Sequence, residues 1–404
     1  MHSVRAVRER RAGTMVAVLA SLVVVSVSPA QADTIRSRQW HLDVMHAEEM
    51  WKTTTGTGVT VAVIDSGVDA SLPDLQGQVL EGKNFTNEPG DAKTDTDGHG
   101  TSMAALIAGT GRRGSDTGSY GLAPGAKILP LRVGGKNFAD DTQATAAAIR
   151  YAADSDARVI NISLGSPGWS SVEEKAIAYA VSKGKMVFAS VGNTGDKSNA
   201  TEYPSAYPGV IAVAGLDREG VAASWSQHGP QVDLSAPGTD MVAACPGSTG
   251  VCRGNGTSGA TALASASAAL IWSVHPTWTA NQVTRVLINT AGGTGTAEKR
   301  NDYVGYGAVR PRIALKDPGD PGPADVNPLP GPTPAQSPKS ADSQDTGDGL
   351  SKHPGTEASA NNGGGTPAKW IALGAGAAVL LGAAVATPIV LNRRRNTGRG
   401  GAAV

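Results

Sequence analysis

Ser258 stands in the run Arg253-Gly254-Asn255-Gly256-Thr257-Ser258-Gly259-Ala260-Thr261-Ala262, which continues into Ala, Ser and Leu. A Gly-Thr-Ser-Gly step followed by small residues puts Ser258 at or near a helix start. There the first backbone N–H groups lack partners within the helix, and the macrodipole favours negative charge. A serine oxygen at such a point can attack a carbonyl carbon, and the resulting oxyanion lies beside the serine's own N–H. Taken alone, the same residues also describe an ordinary N-cap serine. A hydroxyl is a weak nucleophile at neutral pH, so the chemical reading needs a base within reach and a group that orients the base.

Two upstream stretches supply candidates. Val61-Ala62-Val63-Ile64-Asp65-Ser66-Gly67 is a short apolar run rich in β-branched residues, ending on a carboxylate and a glycine turn. It reads as a buried parallel strand, and sites in open α/β sheets form at the carboxyl ends of strands. Asp97-Gly98-His99-Gly100-Thr101 sets a histidine between glycines at the head of another apolar helix. Singly, Asp65 is a turn carboxylate and His99 a helix-start histidine. Together with Ser258 they give the chain order Asp, His, Ser, each residue at the edge of an element. That is one of three known orders of the nucleophilic triad, the one found in subtilisin.

The match extends beyond the order. VAVIDSGVD, DGHGTSMAALIAG and GNGTSGATA resemble the three signature stretches of the subtilase superfamily, and weaker matches fall between them in sequence order, so that the likeness covers roughly Trp40 to Leu315. The resemblance implies an α/β, subtilisin-like fold and peptide-bond hydrolysis, with Ser258 as nucleophile, His99 as general base and Asp65 as its orienting carboxylate. It also implies that Asn193, in Ala189-Ser190-Val191-Gly192-Asn193, donates its amide to the oxyanion. Ser163, Leu164 and Gly165 would offer an exposed strand edge to an extended peptide. Aligning Tyr203-Pro204 with the family's Tyr-Pro pair puts Glu202 at the base of the S1 pocket, where it would pair with a basic P1 side chain. The chain departs from the pattern at Ser102, where a histidine is usual, and at Gly259 and Ala262, where methionine and proline are usual.

These residues need a scaffold. Lys127–Val133, Arg158–Leu164, Lys185–Val191 and Val210–Gly215 read as apolar strands, with amphipathic helices at Thr142–Ala153 and Ser171–Lys183 between them. Alternation of this kind predicts a mostly parallel central sheet with helices on both faces. Met241–Gly256 reads as a loop, Ser258–His275 as an apolar helix stopped before Pro276, and Ala280–Ala291 as the last core helix. Lys plus Arg equals Asp plus Glu at 35 each, so no charge excess argues for nucleic acid. No cofactor motif is present. Asp69, Asp91, Asp95 and Asp97 read as solvated loop carboxylates, and no metal-ligand pattern stands out.

The ends are not globular. Residues 1–32 read as a secretory signal peptide: a basic start at Arg5, Arg8, Arg10 and Arg11, a short apolar run, and Ala30-Gln31-Ala32. Residues 33–58 leave room only for a brief extension before a peptidase domain at 59–315; a long inhibitory prodomain has no space, or the lead-in lies on the core. Residues 316–369, rich in Pro, Gly and Ser, read as a disordered linker. Residues 370–391 form an uncharged Ala/Leu/Val/Gly run that would span roughly 33 Å as a helix, enough for a bilayer. Arg393, Arg394 and Arg395 open a basic tail, 392–404, held cytoplasmic by the positive-inside rule, so the catalytic part faces outward. Cys245 and Cys252, the only cysteines, are then extracellular and close enough in sequence to bridge.

This arrangement resembles the mycosins, membrane-anchored proteases associated with actinobacterial type VII secretion. The sequence therefore reads as a membrane-anchored extracellular serine endopeptidase acting on protein or peptide substrates, with a type VII membrane complex as candidate partner. The alternatives are a structural component of that complex with dispensable catalysis, and a general extracellular protease.

Overall fold

The run Val61-Ala62-Val63-Ile64 sends successive side chains to opposite faces of a strand. In the computed structural model, which describes residues 34–134, 142–293 and 300–329, Val61 and Val63 enter one core layer and Ala62 and Ile64 the other. Seven strands form the sheet: β1 (Thr60–Asp65), β2 (Lys83–Asn84), β3 (Lys127–Arg132), β4 (Val159–Ile162), β5 (Met186–Ser190), β6 (Val210–Leu216) and β7 (Val232–Pro237). All pair in parallel, in the order β2-β3-β1-β4-β5-β6-β7. The chain builds outward from β1 on one side, through β3 to β2, and then on the other side from β4 to β7. The order reverses between β1 and β4, where Ile64 lies opposite Ile162. A crevice opens beyond the carboxyl ends of the strands at such a switch point. Asp65 and Ser163 stand at its two sides.

Three short helices come first: α1 (Ile35–Arg38), α2 (Trp40–Val44) and α3 (Ala47–Trp51). They lie on the body of the domain, with Leu42, Ala47 and Met50 buried in its core. Trp40 Nε1 donates to the Thr239 carbonyl at 2.9 Å. The buried Gln39 exchanges hydrogen bonds with the backbone of Tyr120 at 2.8 and 3.0 Å. The lead-in is thus an extension packed on the core. Two helices, α5 (Thr142–Asp154) and α6 (Ser171–Ser182), cover the sheet face that carries Ala62 and Ile64. The opposite face is covered by α4 (His99–Ala108), α7 (Thr257–Val274) and α8 (Ala280–Thr290), with α9 (Pro311–Lys316) against them. Helix α7 is apolar all round because it is enclosed on nearly all sides. Its small Ala and Ser side chains permit that enclosure, and its buried Ser265 hydroxyl is satisfied by Asn161 Oδ1 at 3.0 Å.

Two stretches differ from the sequence reading. Met241–Gly256 is not a plain loop: β8 (Met241–Ala244) and β9 (Val251–Gly254) pair as an antiparallel hairpin. The expected disulfide joins Cys245 to Cys252 at its turn, with 5.7 Å between their Cα atoms. Four-residue strands without alternating polarity carry too little pattern to be read locally. The stretch from residue 316, read as linker, begins held rather than loose. Arg285 donates to the Pro321 and Val326 carbonyls at 2.7 and 2.8 Å, and Asn281 to the Ala324 carbonyl at 3.0 Å. A Pro-rich segment builds no ladder of its own, but its carbonyls can be satisfied by side chains of a neighbouring helix, here α8. The rest of the linker, the signal peptide, the 370–391 segment and the basic tail lie outside the described residues. Among the described residues no helix is long and apolar enough to cross a membrane.

Candidate active site

Asp65 closes β1 and is fully buried. His99 opens α4, and its Nδ1 lies 2.8 and 3.0 Å from the two carboxylate oxygens of Asp65. The approach depends on a missing side chain. A Cβ on Gly100 would collide with the Gly67 carbonyl and come within 3.0 Å of Asp65 Cβ. Ser66 ties the two elements together. Its N–H donates to Asp65 Oδ1 at 2.8 Å, and its Oγ donates to Asp95 Oδ1 at 2.9 Å while accepting the Gly100 N–H at 3.0 Å.

Asp95 is therefore not a solvated loop carboxylate. It accepts the Gly98 and Thr101 N–H groups at 2.8 and 2.9 Å, so it satisfies orphan donors at the head of α4 and fixes the turn that carries His99. Burial of the imidazole disfavours its charged form. The Asp65 carboxylate outweighs this by charge and hydrogen bond, Asp97 and Asp95 add to it, and the His99 pKa stands above the ordinary histidine value.

Ser258 is the second residue of α7. Its Oγ donates to the Ser163 carbonyl at 3.0 Å, and Ser163 Oγ returns a bond to the Ser258 carbonyl at 3.1 Å. Ser163 is held in turn by Asn161 Nδ2 at 2.9 Å. Asn193 Oδ1 accepts the Thr257 N–H at 2.8 Å and the Thr257 hydroxyl at 3.0 Å. A backbone N–H can only donate, so this contact fixes the amide orientation and turns Nδ2 away from Thr257. Asn193, His99 and Ser258 line one cavity of about 320 Å³. A hydroxyl, an imidazole oriented by a carboxylate, and amide donors at a helix start can together perform acyl transfer.

Leu164 and Gly165 follow β4 on the other side of Ser258. Ser166 and Tyr203 exchange backbone bonds at 3.0 and 2.8 Å, which draws residue 202 against residue 165; the Tyr203–Pro204 peptide is cis. The Glu202 carboxylate lies against both Gly165 and Gly192, near enough that a Cβ on either glycine would meet it. Its Oε1 accepts from Gln227 Nε2 at 2.7 Å. Burial raises the Glu202 pKa, and the Gln227 bond offsets part of that rise. The structure thus brings Asp65, His99, Asn193, Ser258, Ser163, Leu164, Gly165 and Glu202 around one crevice, and of the two cysteines Cys252 lines the cavity shared by His99, Asn193 and Ser258.

Three supporting residues were not singled out, and a fourth, Asp95, was read only as a solvated loop carboxylate. Ser66 sits inside the quoted Val61–Gly67 stretch, where its polarity was a usable signal. Asn161 and Gln227 reach the site only through the fold, with no local signal. Among the described residues no three His, Cys, Asp or Glu side chains converge to hold a metal ion.

A model of the Subtilase family, Peptidase_S8, matches residues 56–307. Thermitase from Thermoactinomyces vulgaris is 35% identical over 277 residues, 68% of this chain and 96% of thermitase. The crystal structure of MycP1 from Mycobacterium smegmatis superposes with a TM-score of 0.62 at 28% identity, over 74% of this chain and 89% of that one. The MycP3 protease from the type VII (ESX-3) secretion system gives a TM-score of 0.60 at 30% identity, over 71% of this chain and 90% of its own.

Proposed function

We propose, for a chain that belongs to the subtilase family and is a subtilisin-like serine endopeptidase, that Asp65, His99 and Ser258 are its triad and Asn193 its oxyanion donor. In this mechanism Ser258 Oγ turns about its Cα–Cβ bond from the Ser163 carbonyl toward His99 Nε2. His99 takes the proton as Oγ attacks the scissile carbonyl, and Asp65 holds the imidazole tautomer and stabilises the imidazolium. Asn193 Nδ2 and the Ser258 N–H receive the oxyanion. The leaving amine takes the proton from His99, and water then resolves the acyl-enzyme by the same route. The observation that carries the reading is the bond of His99 Nδ1 to Asp65 at 2.8 Å, on a ring that shares one cavity with Ser258 and Asn193.

The setting we propose is the outer face of a membrane, with residues 370–391 as the anchor and type VII secretion as the process served. Support comes from the apolar run followed by Arg393, Arg394 and Arg395 and from the likeness to MycP1 and MycP3. One experiment tests chemistry and setting together. A fluorophosphonate probe applied to intact cells should label Ser258 on a protein recovered in the membrane fraction. His99 must be neutral to act as base, and its pKa is raised, so the labelling rate should climb with pH through a midpoint above about 6.5. Label on another residue, or a rate flat across this range, would remove the triad; label only in the culture medium would remove the anchor.

The proposed specificity rests on Glu202. A basic P1 side chain would meet its carboxylate in a partly desolvated pocket, where a charge-assisted hydrogen bond contributes about 1.5–3 kcal/mol. Wild type should then prefer Lys or Arg over Leu at P1 by about tenfold or more in kcat/KM, and Glu202→Gln should lose that preference. The check is a P1 series of otherwise identical peptides. A preference that survives the substitution would take Glu202 out of the pocket.

A further inference from the structure

The β8–β9 hairpin has two faces. Met241 and Ala243 line the cavity shared with Ser258, while Val242 faces the other way, as alternation along a strand requires. On that second face lies a separate cavity of about 580 Å³, walled by the hairpin, by α1 and by the turn after β6. None of Asp65, His99, Asn193 or Ser258 lines it, and neither do Ser163, Leu164, Gly165 or Glu202.

Its walls combine apolar and basic side chains. Ile35, Val242 and Val251 supply the apolar part, and Arg38, Arg218 and Arg253 the charge. The Arg218 guanidinium lies 5.3 Å from the ring centroid of Trp40, and Trp40 is anchored in turn by its bond to the Thr239 carbonyl. Arg253 Nε and Nη2 reach Asp240 Oδ1 at 3.2 and 2.9 Å. Arg218 Nη2 stands 3.6 Å from Asp240 Oδ2, beyond hydrogen-bond range, and its guanidinium makes no hydrogen bond among the described residues. Two guanidinium groups thus share one carboxylate, which leaves their positive charge half compensated and most of their donors unused. Each presents five N–H groups in a planar fork that matches a carboxylate. The Arg218 and Arg253 side chains are 48% and 65% exposed, so a ligand reaches them without opening the fold. A bare anion would leave the apolar wall wet. A carboxylate carried beside an aliphatic side chain satisfies both parts.

We propose that this cavity docks a peptide segment of a partner protein that carries a carboxylate next to a large aliphatic side chain. The carboxylate pairs with Arg218 and Arg253, and the aliphatic group covers Ile35, Val242 and Val251. Asp240 competes with the incoming carboxylate for the same two guanidinium groups. An Asp or Glu side chain and the C-terminus of a chain both offer this chemistry, and the test distinguishes them. The proposal does not depend on the triad.

Binding is measured by titration calorimetry on the full chain in detergent micelles, with Ser258→Ala as the background so that the probes stay whole; mass spectrometry of the recovered peptides checks that they do. Three N-acetylated probes are compared: Leu-Asp-Leu-Asp-Leu amide, Leu-Asn-Leu-Asn-Leu with a free C-terminal carboxylate, and Leu-Asn-Leu-Asn-Leu amide. At least one charged probe should bind about tenfold or more tighter than the neutral amide, and the one that does identifies the source of the carboxylate. Arg218 lines this cavity and not the one beside Ser258, so Arg218→Gln separates docking here from docking in the active site. It should weaken binding about tenfold, and Arg253→Gln should weaken it too. Asp240→Asn removes the competitor, and asparagine tolerates the left-handed φ of 53° at this position. That variant should bind about threefold tighter. A neutral amide that binds as well as both charged probes, no binding by either charged probe, or binding unchanged by Arg218→Gln would overturn the proposal. So would an affinity that falls or stays the same in Asp240→Asn.

Discussion

Replacing Ser258 with alanine is expected to lower kcat on a peptide amide by on the order of 10⁶-fold, and His99→Ala by a similar factor. The reason is that neither group is useful alone. Without the hydroxyl, His99 has no proton to take from an attacking group; without the imidazole, the hydroxyl stays protonated at neutral pH. Asp65→Asn should cost somewhat less, roughly 10⁴-fold, because it leaves the ring in place but in the wrong tautomer. Here the buried Asp65 also raises the His99 pKa, so its loss should move the acid limb of the pH profile toward lower pH. The double variant Ser258→Ala/His99→Ala should be scarcely worse than either single one. Steady-state cleavage of a fluorogenic peptide is the measurement, and undiminished turnover by Ser258→Ala would sink the assignment. The same variant in cells separates catalysis from scaffolding. If removing the chain stops type VII secretion and the Ser258→Ala variant restores it while cleavage stays lost, the proposed role in secretion is structural and separate from the triad.

Asn193→Ala is expected to lower kcat by about 10²–10³-fold, equivalent to about 2.7–4 kcal/mol of lost transition-state stabilisation. KM should change little, since the donor acts on charge that develops only in the transition state. Asn193 has a second task that complicates the alanine variant: its Oδ1 accepts the Thr257 N–H and hydroxyl at 2.8 and 3.0 Å. Alanine removes that anchor as well. Asn193→Asp retains an acceptor for Thr257 but replaces the donor with an oxygen, so it isolates the catalytic contribution. Its kcat should fall at least as far as that of Asn193→Ala, because an anion would face the oxyanion. Stopped-flow acylation rates on an activated ester and on an amide would measure both variants. An Asn193→Asp enzyme within about threefold of wild type in kcat would mean that Nδ2 plays no part in the reaction.

Some of this protein is written locally. Val61–Ile64 can only be a strand covered on both faces, and its last residue must fall at a carboxyl edge. His99 and Ser258 each follow a glycine step and precede an apolar run, so both lie at helix starts. Those facts depend on backbone periodicity and capping over a few residues, which is why the strand-helix alternation and the positions of Asp65, His99 and Ser258 at element edges were readable, whereas Asn193 was singled out only through the resemblance to the subtilases. What the tertiary structure decided involves contacts between residues far apart in sequence. Asn161 meets Ser265 across 104 positions and Gln227 meets Glu202 across 25, and neither pair leaves a trace in any local pattern. The role of Asp95 was hidden because a loop aspartate and a helix-capping aspartate look the same until the direction of the chain is fixed. The hairpin at β8 and β9 was hidden because four-residue strands carry no period.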